Sequence, residues 1–235
     1  GDDKALHKAV RISIYLTFAM GIAVAVTGHF QTRLMFEQQP MKMAAAEALC
    51  DTETGAGLSV FAVGDPGAEC DVRTIKIPNL LSFMATGSPD GTVEGVKDLN
   101  AQYQERFGPG DYRPNLAITY WSFRSMVGFG AIASFGAVVA WWKTRGGREL
   151  PTNKRWLRRG SLAIIATPFI ANATGWIFTE MGRQPWVVAP NPNGIPEVRL
   201  LTANASSASV SSAMVIVTLA GFALVYGALL VVELG

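Results

Sequence analysis

The sequence predicts an all-α membrane protein with four transmembrane helices and a large extracytoplasmic loop between the first and second. The 20 basic and 18 acidic residues make up only 16% of the 235-residue chain, against roughly 25% in soluble domains. They also leave four long stretches nearly free of charge, each with the roughly 20 residues that a helix needs to cross a bilayer. This pattern excludes a disordered chain, a disulfide-stapled miniprotein and a coiled coil. The net charge of +2 gives no sign of nucleic-acid binding.

The spans divide the chain into four helices and three connections. In chain order these segments are residues 1–30, 31–113, 114–142, 143–159, 160–183, 184–205 and 206–235. Pro114 stands at the head of the second span, where a missing N–H costs nothing. Pro168 lies inside the third span and should free a backbone carbonyl for a neighbouring Thr or Asn side chain. The fourth span begins with many Ser and Ala residues, which favours close helix packing in lipid.

Basic residues indicate the orientation of these spans. The connection at 143–159 holds seven basic residues and one acid, whereas 31–113 holds twelve acids and seven bases. Basic loops stay on the cytoplasmic side of a membrane. We therefore expect 143–159 inside the cell and 31–113 outside it.

The outer segment, residues 31–113, is too long to be a plain connector. A short helix is predicted from Gln39 to Leu49, with Pro40 in its first turn, and an amphipathic helix from Val93 to Phe107. We expect this segment to fold against the outer face of the membrane.

Cys50 and Cys70, the only cysteines, both lie in the outer segment. Outside the cytoplasm, a pair at this spacing is expected to form a disulfide, which would stabilise the fold by about 3 kcal/mol through loop closure. A metal site is the alternative, but two thiolates without a nearby His rarely make one.

Two ionisable residues lie within the spans, Arg124 in the second and Glu180 in the third. Such residues mark functional sites because an unpaired charge in hydrocarbon is costly. They could form an intramembrane ion pair that ties two helices in a structural subunit, or line a polar path in a transporter. Helical spacing places Trp176 and Arg183 on the same face as Glu180. Met126, taken alone, reads as core packing.

Several motifs together resemble one family. They are GRQPW at 182–186 preceded by GWIFTE at 175–180, WSFRSMVG at 121–128, and QPMK at 39–42 followed by Glu47. Over about residues 8–205 they resemble subunit I of cytochrome bd quinol oxidases. The outer segment with its cysteine pair is most similar to the actinobacterial branch.

The resemblance implies two haem b sites in this chain. Met126 matches the axial thioether of the low-spin haem b iron, and Arg124 the basic residue beside that haem. Glu180 matches the carboxylate that binds the high-spin haem b iron. Trp176 matches the aromatic residue at the site where oxygen reacts, and Arg183 would meet haem propionates.

The resemblance also implies a quinol site in the outer segment. Lys42 and Glu47 match residues associated with quinol oxidation, and Gln39 lies beside them. Glu47 would accept protons and Lys42 would stabilise a developing quinolate. Electrons would pass through the haems b to haem d, where dioxygen becomes water with cytoplasmic protons, so the reaction would generate proton-motive force.

The family's subunit I carries an N-terminal half that supplies further haem ligands. The sequence therefore resembles the C-terminal half of the subunit and is not expected to be active alone. The implied partners are the N-terminal half of subunit I, subunit II, with or without small accessory subunits, membrane quinol and dioxygen. The implied location is a bacterial plasma membrane.

Overall fold

The computed structural model describes residues 2–65, 70–145, 155–195, 197–207 and 209–234. Within these ranges the chain is mainly helical. The helices are α1 (Asp2–Gln38), α2 (Pro40–Ala46), α3 (Leu80–Thr86), α4 (Val96–Phe107), α5 (Leu116–Thr144), α6 (Arg155–Met181) and α7 (Ser212–Leu234). Short antiparallel strands complete the fold: β1 (Glu53–Thr54), β2 (Leu58–Asp65), β3 (Asp71–Ile77), β4 (Thr92–Val93), β5 (Trp186–Val188) and β6 (Leu200–Leu201).

Four helices, α1, α5, α6 and α7, are long and apolar enough to cross a membrane, which confirms the predicted all-α fold with four spanning helices. The 37 residues of α1 extend over about 55 Å, more than the roughly 30 Å of a bilayer core. This helix therefore continues beyond the membrane and carries the chain directly into the outer segment.

The last helix starts later than the sequence suggests. α7 begins at Ser212, whereas the fourth span was expected from residue 206. Upstream, the Ser207 hydroxyl lies 2.8 Å from the Ser209 hydroxyl and accepts a bond from the Ser209 N–H. Serine side chains that bond to nearby backbone in this way compete with helix formation. The side chains of α7 are exposed along 212–233.

α5 is a central helix of the fold, because it packs on three other helices: α6, α1 and α2. Its start is fixed by Asn115, whose side-chain oxygen accepts a hydrogen bond from the Ile118 N–H at 3.0 Å. This is an N-cap in which the side chain satisfies a free N–H of the first turn. Pro114 therefore lies one residue before the cap and two residues before Leu116, the first residue of α5, so it does not stand at the head of the helix as expected.

Pro168 lies inside α6 without ending the helix. A proline there cannot bond to the carbonyl four residues earlier, and that carbonyl belongs to Ile164. The Thr167 hydroxyl donates to the Ile164 carbonyl at 2.8 Å. The expectation that a neighbouring Thr would satisfy the freed group is confirmed.

The outer segment contains a β-hairpin that was not expected from the sequence. β2 and β3 pair from Leu58 opposite Ile77 to Asp65 opposite Asp71. The run DVRTIKI of β3 is rich in β-branched residues, which suit a pleated surface. The two predicted helices are present as α2 and α4, each slightly shorter than expected.

α2 is central to the packing of this segment, because all its residues from Met41 to Ala46 are buried. Its apolar side chains pack with residues of α4 and the start of α5 in one cluster: Met41, Ala44, Ala45, Cys70, Val96, Leu99 and Leu116. The outer segment is therefore a folded unit seated on α5, and it holds α2 in a fixed place.

Part of the predicted basic connection lies outside the described residues. Lys143, Arg145, Arg155 and Arg159 belong to the described part of the chain, whereas Arg148 and Lys154 do not. The charge bias of 143–159 thus remains an observation on the sequence.

Cys50 and Cys70 form a disulfide, with 5.8 Å between their Cα atoms. Cys70 belongs to the cluster around α2, and Cys50 packs against that cluster. The bridge thus joins the segment that follows α2 to the residue just before β3.

Loss of this disulfide should loosen the outer segment. We expect the double variant Cys50→Ser and Cys70→Ser to lose about 3 kcal/mol of stability, because the denatured chain is then less restrained. Thermal unfolding and limited proteolysis of the outer segment measure this loss. As a direct check, peptide mass analysis of the unchanged chain should give a cross-linked Cys50–Cys70 peptide that alkylating reagent reaches only after reduction. Alkylation of either thiol before reduction would contradict the pairing.

Candidate functional site

The candidate site begins where α1 ends and the chain turns into α2. Gln39 lies between the two helices with a non-helical backbone, and Pro40 is in the first turn of α2. Proline disfavours a helical conformation in the residue before it and suits the first turn of a new helix. This break allows α2 to run across α5 and to bury two ionisable residues, Lys42 and Glu47.

Glu47 is held at the C-terminal end of α2 by two donors from other elements. Only 3% of it is exposed. The Nη2 of Arg124 donates a hydrogen bond to Glu47 Oε2 at 2.5 Å, and the Ser59 N–H donates to the same oxygen at 3.2 Å. The outer segment is thereby bound to the spanning helix α5 through a buried ion pair.

Opposing effects act on the pKa of Glu47. Burial raises this pKa because it disfavours the charged carboxylate, whereas Arg124 and the Ser59 N–H lower it. Burial is the larger effect, and the pKa of Glu47 is about 7. The carboxyl group can therefore take up and release a proton near neutral pH.

Lys42 lies on the opposite side of the short helix, against the end of α6. It is 7% exposed, and its Nζ lies 4.6 Å from the centre of the Phe178 ring. Burial lowers the pKa of Lys42, as does the charge of Arg183, while Glu180 raises it. A lysine in this environment gives up its proton more easily than an exposed one.

The pentapeptide at 182–186 makes room for Lys42. A β-carbon on Gly182 would lie 3.0 Å from Lys42 Cγ and 2.7 Å from the Phe178 carbonyl oxygen. Trp186 is buried and stacks on the Tyr112 ring at 5.3 Å between centroids. Glycine at the first position and an aromatic anchor at the last thus fix this turn against α2 and the segment before α5.

A small cavity of about 20 Å³ lies between α2 and this turn, with room for a water molecule. Gln39, Lys42, Arg183 and Trp186 are among its lining residues. Gln39 Oε1, Arg183 Nε and Trp186 Nε1 are buried and have no hydrogen-bond partner within the described part of the chain. The cavity is therefore a polar site with both donors and an acceptor available.

Met126 lies at the contact between α5 and α6. A β-carbon on Gly175 would lie 2.8 Å from Met126 Sδ, so the absence of a side chain at 175 admits the thioether. Two residues earlier on α5, Arg124 keeps a buried Nε without a partner in the described residues. The chemistry of the two side chains fits a haem, since a Met thioether is a known ligand of haem iron and a free guanidinium N–H can bond to a propionate.

Glu180 and Arg183 form an ion pair within one turn at the end of α6. The side chain of Glu180 is about one-third exposed, and Trp176, one turn earlier, is 68% exposed. The two residues therefore offer a carboxylate and an aromatic ring on the open side of α6, where a large ligand has room.

The structure does not support the alternative in which Arg124 and Glu180 pair within the membrane. Arg124 is paired with Glu47 and Glu180 with Arg183. The sequence alone favoured an Arg124–Glu180 pair because both residues lie near the outer ends of their spans, but it gave no sign that α2 reaches α5. The structural alternative loses the ion pair on which it rested.

Of the predicted site residues, Gln39, Lys42 and Arg183 are brought together around the cavity, and Glu47 is joined to Arg124. Sequence reasoning missed the contacts of Ser59 and Tyr120. Tyr120 could have been found, since it lies one helical turn before Arg124 and its ring centre lies 5.0 Å from the guanidinium. Ser59 carries no signal in the sequence, because its place depends on the hairpin.

Comparison with known proteins shows the family of this chain. The family profile described as "Cytochrome bd terminal oxidase subunit I" matches residues 1–235. The chain is 37% identical over 228 residues to the "Cytochrome bd ubiquinol oxidase subunit 1" of Bacillus subtilis, which covers 95% of this chain and 47% of that protein. It is 27% identical over 233 residues to the "Cytochrome bd-II ubiquinol oxidase subunit 1" of Escherichia coli, covering 75% of this chain and 45% of the relative.

The fold is also similar to that of a solved oxidase. The bd oxidase from Geobacillus thermodenitrificans matches with a TM-score of 0.68 and 29% identity, over 96% of this chain and 48% of that one. The chain thus spans about half the length of the relatives that it matches. Because the family profile matches the whole of this sequence, the chain belongs to the cytochrome bd terminal oxidase subunit I family.

Proposed function

We propose that this chain is part of the haem-bearing subunit of a terminal oxidase that oxidises membrane quinol and reduces dioxygen to water. Two quinols release four electrons and four protons, and one dioxygen takes up four of each to give two waters. The relatives from Bacillus subtilis and Escherichia coli are named as ubiquinol oxidase subunits, which supports this class of reaction.

The observation that carries the proposal is the pair of buried ionisable residues on α2. Quinol oxidation requires a base that accepts a proton from the hydroxyl group and releases it again. Glu47 has a pKa of about 7, so its carboxylate form is available at neutral pH. Lys42 is buried beside the polar cavity and stabilises a developing quinolate, with Gln39 as a further hydrogen-bonding group.

The residues on α5 and α6 fit two haem sites. Met126 and Arg124 would hold a low-spin haem b, with the Met126 thioether as an iron ligand. Glu180 and Arg183 would hold a high-spin haem b, with the Glu180 carboxylate as an iron ligand. Trp176 would lie at the oxygen-reacting site. When bound, the haems b and haem d supply one-electron carriers and the place where dioxygen is reduced.

The orientation and partners follow from the same assignment. The outer segment, 31–113, would face the extracytoplasmic side of a bacterial plasma membrane, where Glu47 releases protons outward, and 143–159 would face the cytoplasm. The N-terminal half of subunit I, subunit II and any small accessory subunits would complete the complex. Protons taken from the cytoplasm for water formation then generate proton-motive force.

Met126→Leu should remove the low-spin haem b signal from the complex. Leucine fills a similar volume but offers no lone pair to iron, so the haem would lose this ligand while packing against Gly175 is largely kept. A reduced-minus-oxidised visible spectrum measures each haem type.

The matched control is Met214→Leu, the same change at an exposed position on α7. It should leave the spectrum unchanged. A normal low-spin band in Met126→Leu would show that Met126 only packs between the helices.

Glu47→Gln should slow quinol oxidation and remove its dependence on pH near neutrality. With Glu47 in place, the base form increases as pH rises through about 7, so the rate should rise over the same range. Glutamine cannot accept the proton, and we expect the rate above pH 7 to fall by 10²-fold or more, about the low end of a general base's contribution. Steady-state oxygen consumption with quinol from pH 5.5 to 9 measures both effects.

Glu37→Gln serves as the control, since Glu37 is an exposed glutamate on α1 that pairs with Arg33. It should keep the rate and the pH profile. Haem content is measured in both variants, and a wild-type rate and profile in a fully loaded Glu47→Gln enzyme would rule out Glu47 as the base.

A further inference from the structure

A second layer of contacts surrounds the Glu47–Arg124 pair. The backbone N–H of Ser59 donates to Glu47 Oε2 at 3.2 Å, while the hydroxyl of the same serine lies 3.0 Å from the Tyr120 hydroxyl. Ser59 is 1% exposed and Tyr120 is 2% exposed. The Ser59 hydroxyl thus links the hairpin to α5 at the point where the Ser59 backbone binds the carboxylate.

The hairpin is irregular at this point. Ser59 pairs with Lys76 and Phe61 with Ile75, so Val60 is an extra residue in β2. A bulge of this kind changes the direction of a strand and re-aims its neighbouring groups. Here it lies next to Ser59, which contacts both Glu47 and α5.

Tyr120 reaches both partners of Glu47. Its hydroxyl bonds to Ser59, and its ring faces Arg124, with 5.0 Å from the guanidinium carbon to the ring centre. That distance is within the range of a cation–π contact. Tyr120 therefore contacts the Arg124 guanidinium with its ring. Its hydroxyl holds the Ser59 side chain, and so restrains the residue whose N–H binds Glu47.

We propose that Ser59 and Tyr120 are positioning residues that hold the Glu47 carboxylate through their shared hydrogen bond. The proposal rests on the function proposed above, in which Glu47 is the base for quinol oxidation. Neither residue touches the reacting atoms. Without the bond between their hydroxyls, the strand at Ser59 is less restrained and its N–H is a weaker donor to Glu47.

Among the described residues that pack around Glu47, few carry a charge or a titratable group that could change its pKa. On α5, Arg124 is the charged group that acts on its pKa, and Tyr120 is the titratable neighbour. On β2 the contact is the uncharged Ser59 N–H. Residues of α1 and α6 that pack on α2 near this end are apolar: Met35, Phe36 and Phe178. The contacts of α4 with α2 are also apolar, through Val96 and Leu99.

Two variants cut the shared bond from opposite ends. Ser59→Ala removes the serine hydroxyl but keeps the backbone N–H, and Tyr120→Phe removes the phenol oxygen but keeps the ring over Arg124. Because the Ser59 N–H lowers the pKa of Glu47, weakening it moves that pKa upward. We expect the rising limb of the pH profile for quinol oxidation to shift up by about 0.5–1 pH unit, which lowers the rate at pH 6 by about 3- to 10-fold. The rate at pH 8.5 should stay within about 2-fold.

The double variant tests whether the two residues act through one bond. It should show the same shift as either single variant, because both changes remove the same interaction. The measurement uses the assembled complex with the short-chain quinols ubiquinol-1 and menadiol. Infrared titration of the carboxyl band that Glu47→Gln abolishes gives the pKa of Glu47 without reference to turnover.

Matched controls remove hydroxyls that do not reach Glu47. The Tyr112 hydroxyl donates to the Gly108 carbonyl, and the Ser122 hydroxyl donates to carbonyls of its own helix. Tyr112→Phe and Ser122→Ala should leave the pH profile in place.

The outcomes separate this proposal from the one on which it rests. Unchanged profiles and infrared titrations in both Ser59→Ala and Tyr120→Phe, with a flat profile in Glu47→Gln, would overturn the positioning role alone. Additive shifts in the double variant would overturn the shared bond. An unchanged profile in Glu47→Gln would instead overturn the role of Glu47. If one single variant does not assemble, the other still cuts the same bond.

Discussion

The ion pair between Glu47 and Arg124 is the interaction on which the candidate site depends. Both side chains are removed from water, and a buried charge that loses its partner costs about 3–5 kcal/mol. The pair is also a polar link between α2 and α5, whose neighbouring contacts are mainly apolar. Its two members therefore fix where α2 lies along α5, and with it the positions of Lys42 and Gln39.

Small residues make this close placement possible. Ala44, Ala45 and Ala46 are fully buried, and larger side chains at these positions would push α2 away from its neighbours. In the same way, the lack of a side chain at Gly182 leaves space for Lys42, and the lack of one at Gly175 leaves space for Met126. At each contact the absence of a side chain on one element admits a functional side chain from another. The glycines of the two motifs are thus explained by packing around the site.

The sequence predicts the parts of this structure that depend on local patterns. Four apolar stretches give the spanning helices, Pro40 gives the start of α2, and Thr167 beside Pro168 satisfies the freed carbonyl of α6. The partner of Arg124 could not be predicted, because it comes from a segment 77 residues away in sequence whose folding against α5 leaves no periodic signal. The hairpin was missed for a related reason: its pairing includes an extra residue at Val60, which interrupts the alternation that marks a strand. The resemblance to a known family pointed to Lys42 and Glu47, but it could not show that Ser59 and Tyr120 complete the site.

The chemistry of Glu47 depends on two opposing effects on its pKa, burial of the carboxyl group and the hydrogen bonds from its donors. Burial alone would keep the carboxyl protonated well above neutral pH, and Arg124 with free access to water would keep it ionised well below. The observed arrangement combines strong burial with one guanidinium and one backbone N–H, and the resulting pKa is about 7. Because burial and the donors act on this pKa in opposite directions, the weakening of one donor moves the pKa upward. A base tuned in this way works only if its donors are held in place, and the contacts around Ser59 and Tyr120 hold the weaker donor, the Ser59 N–H, in addition to the stronger Arg124.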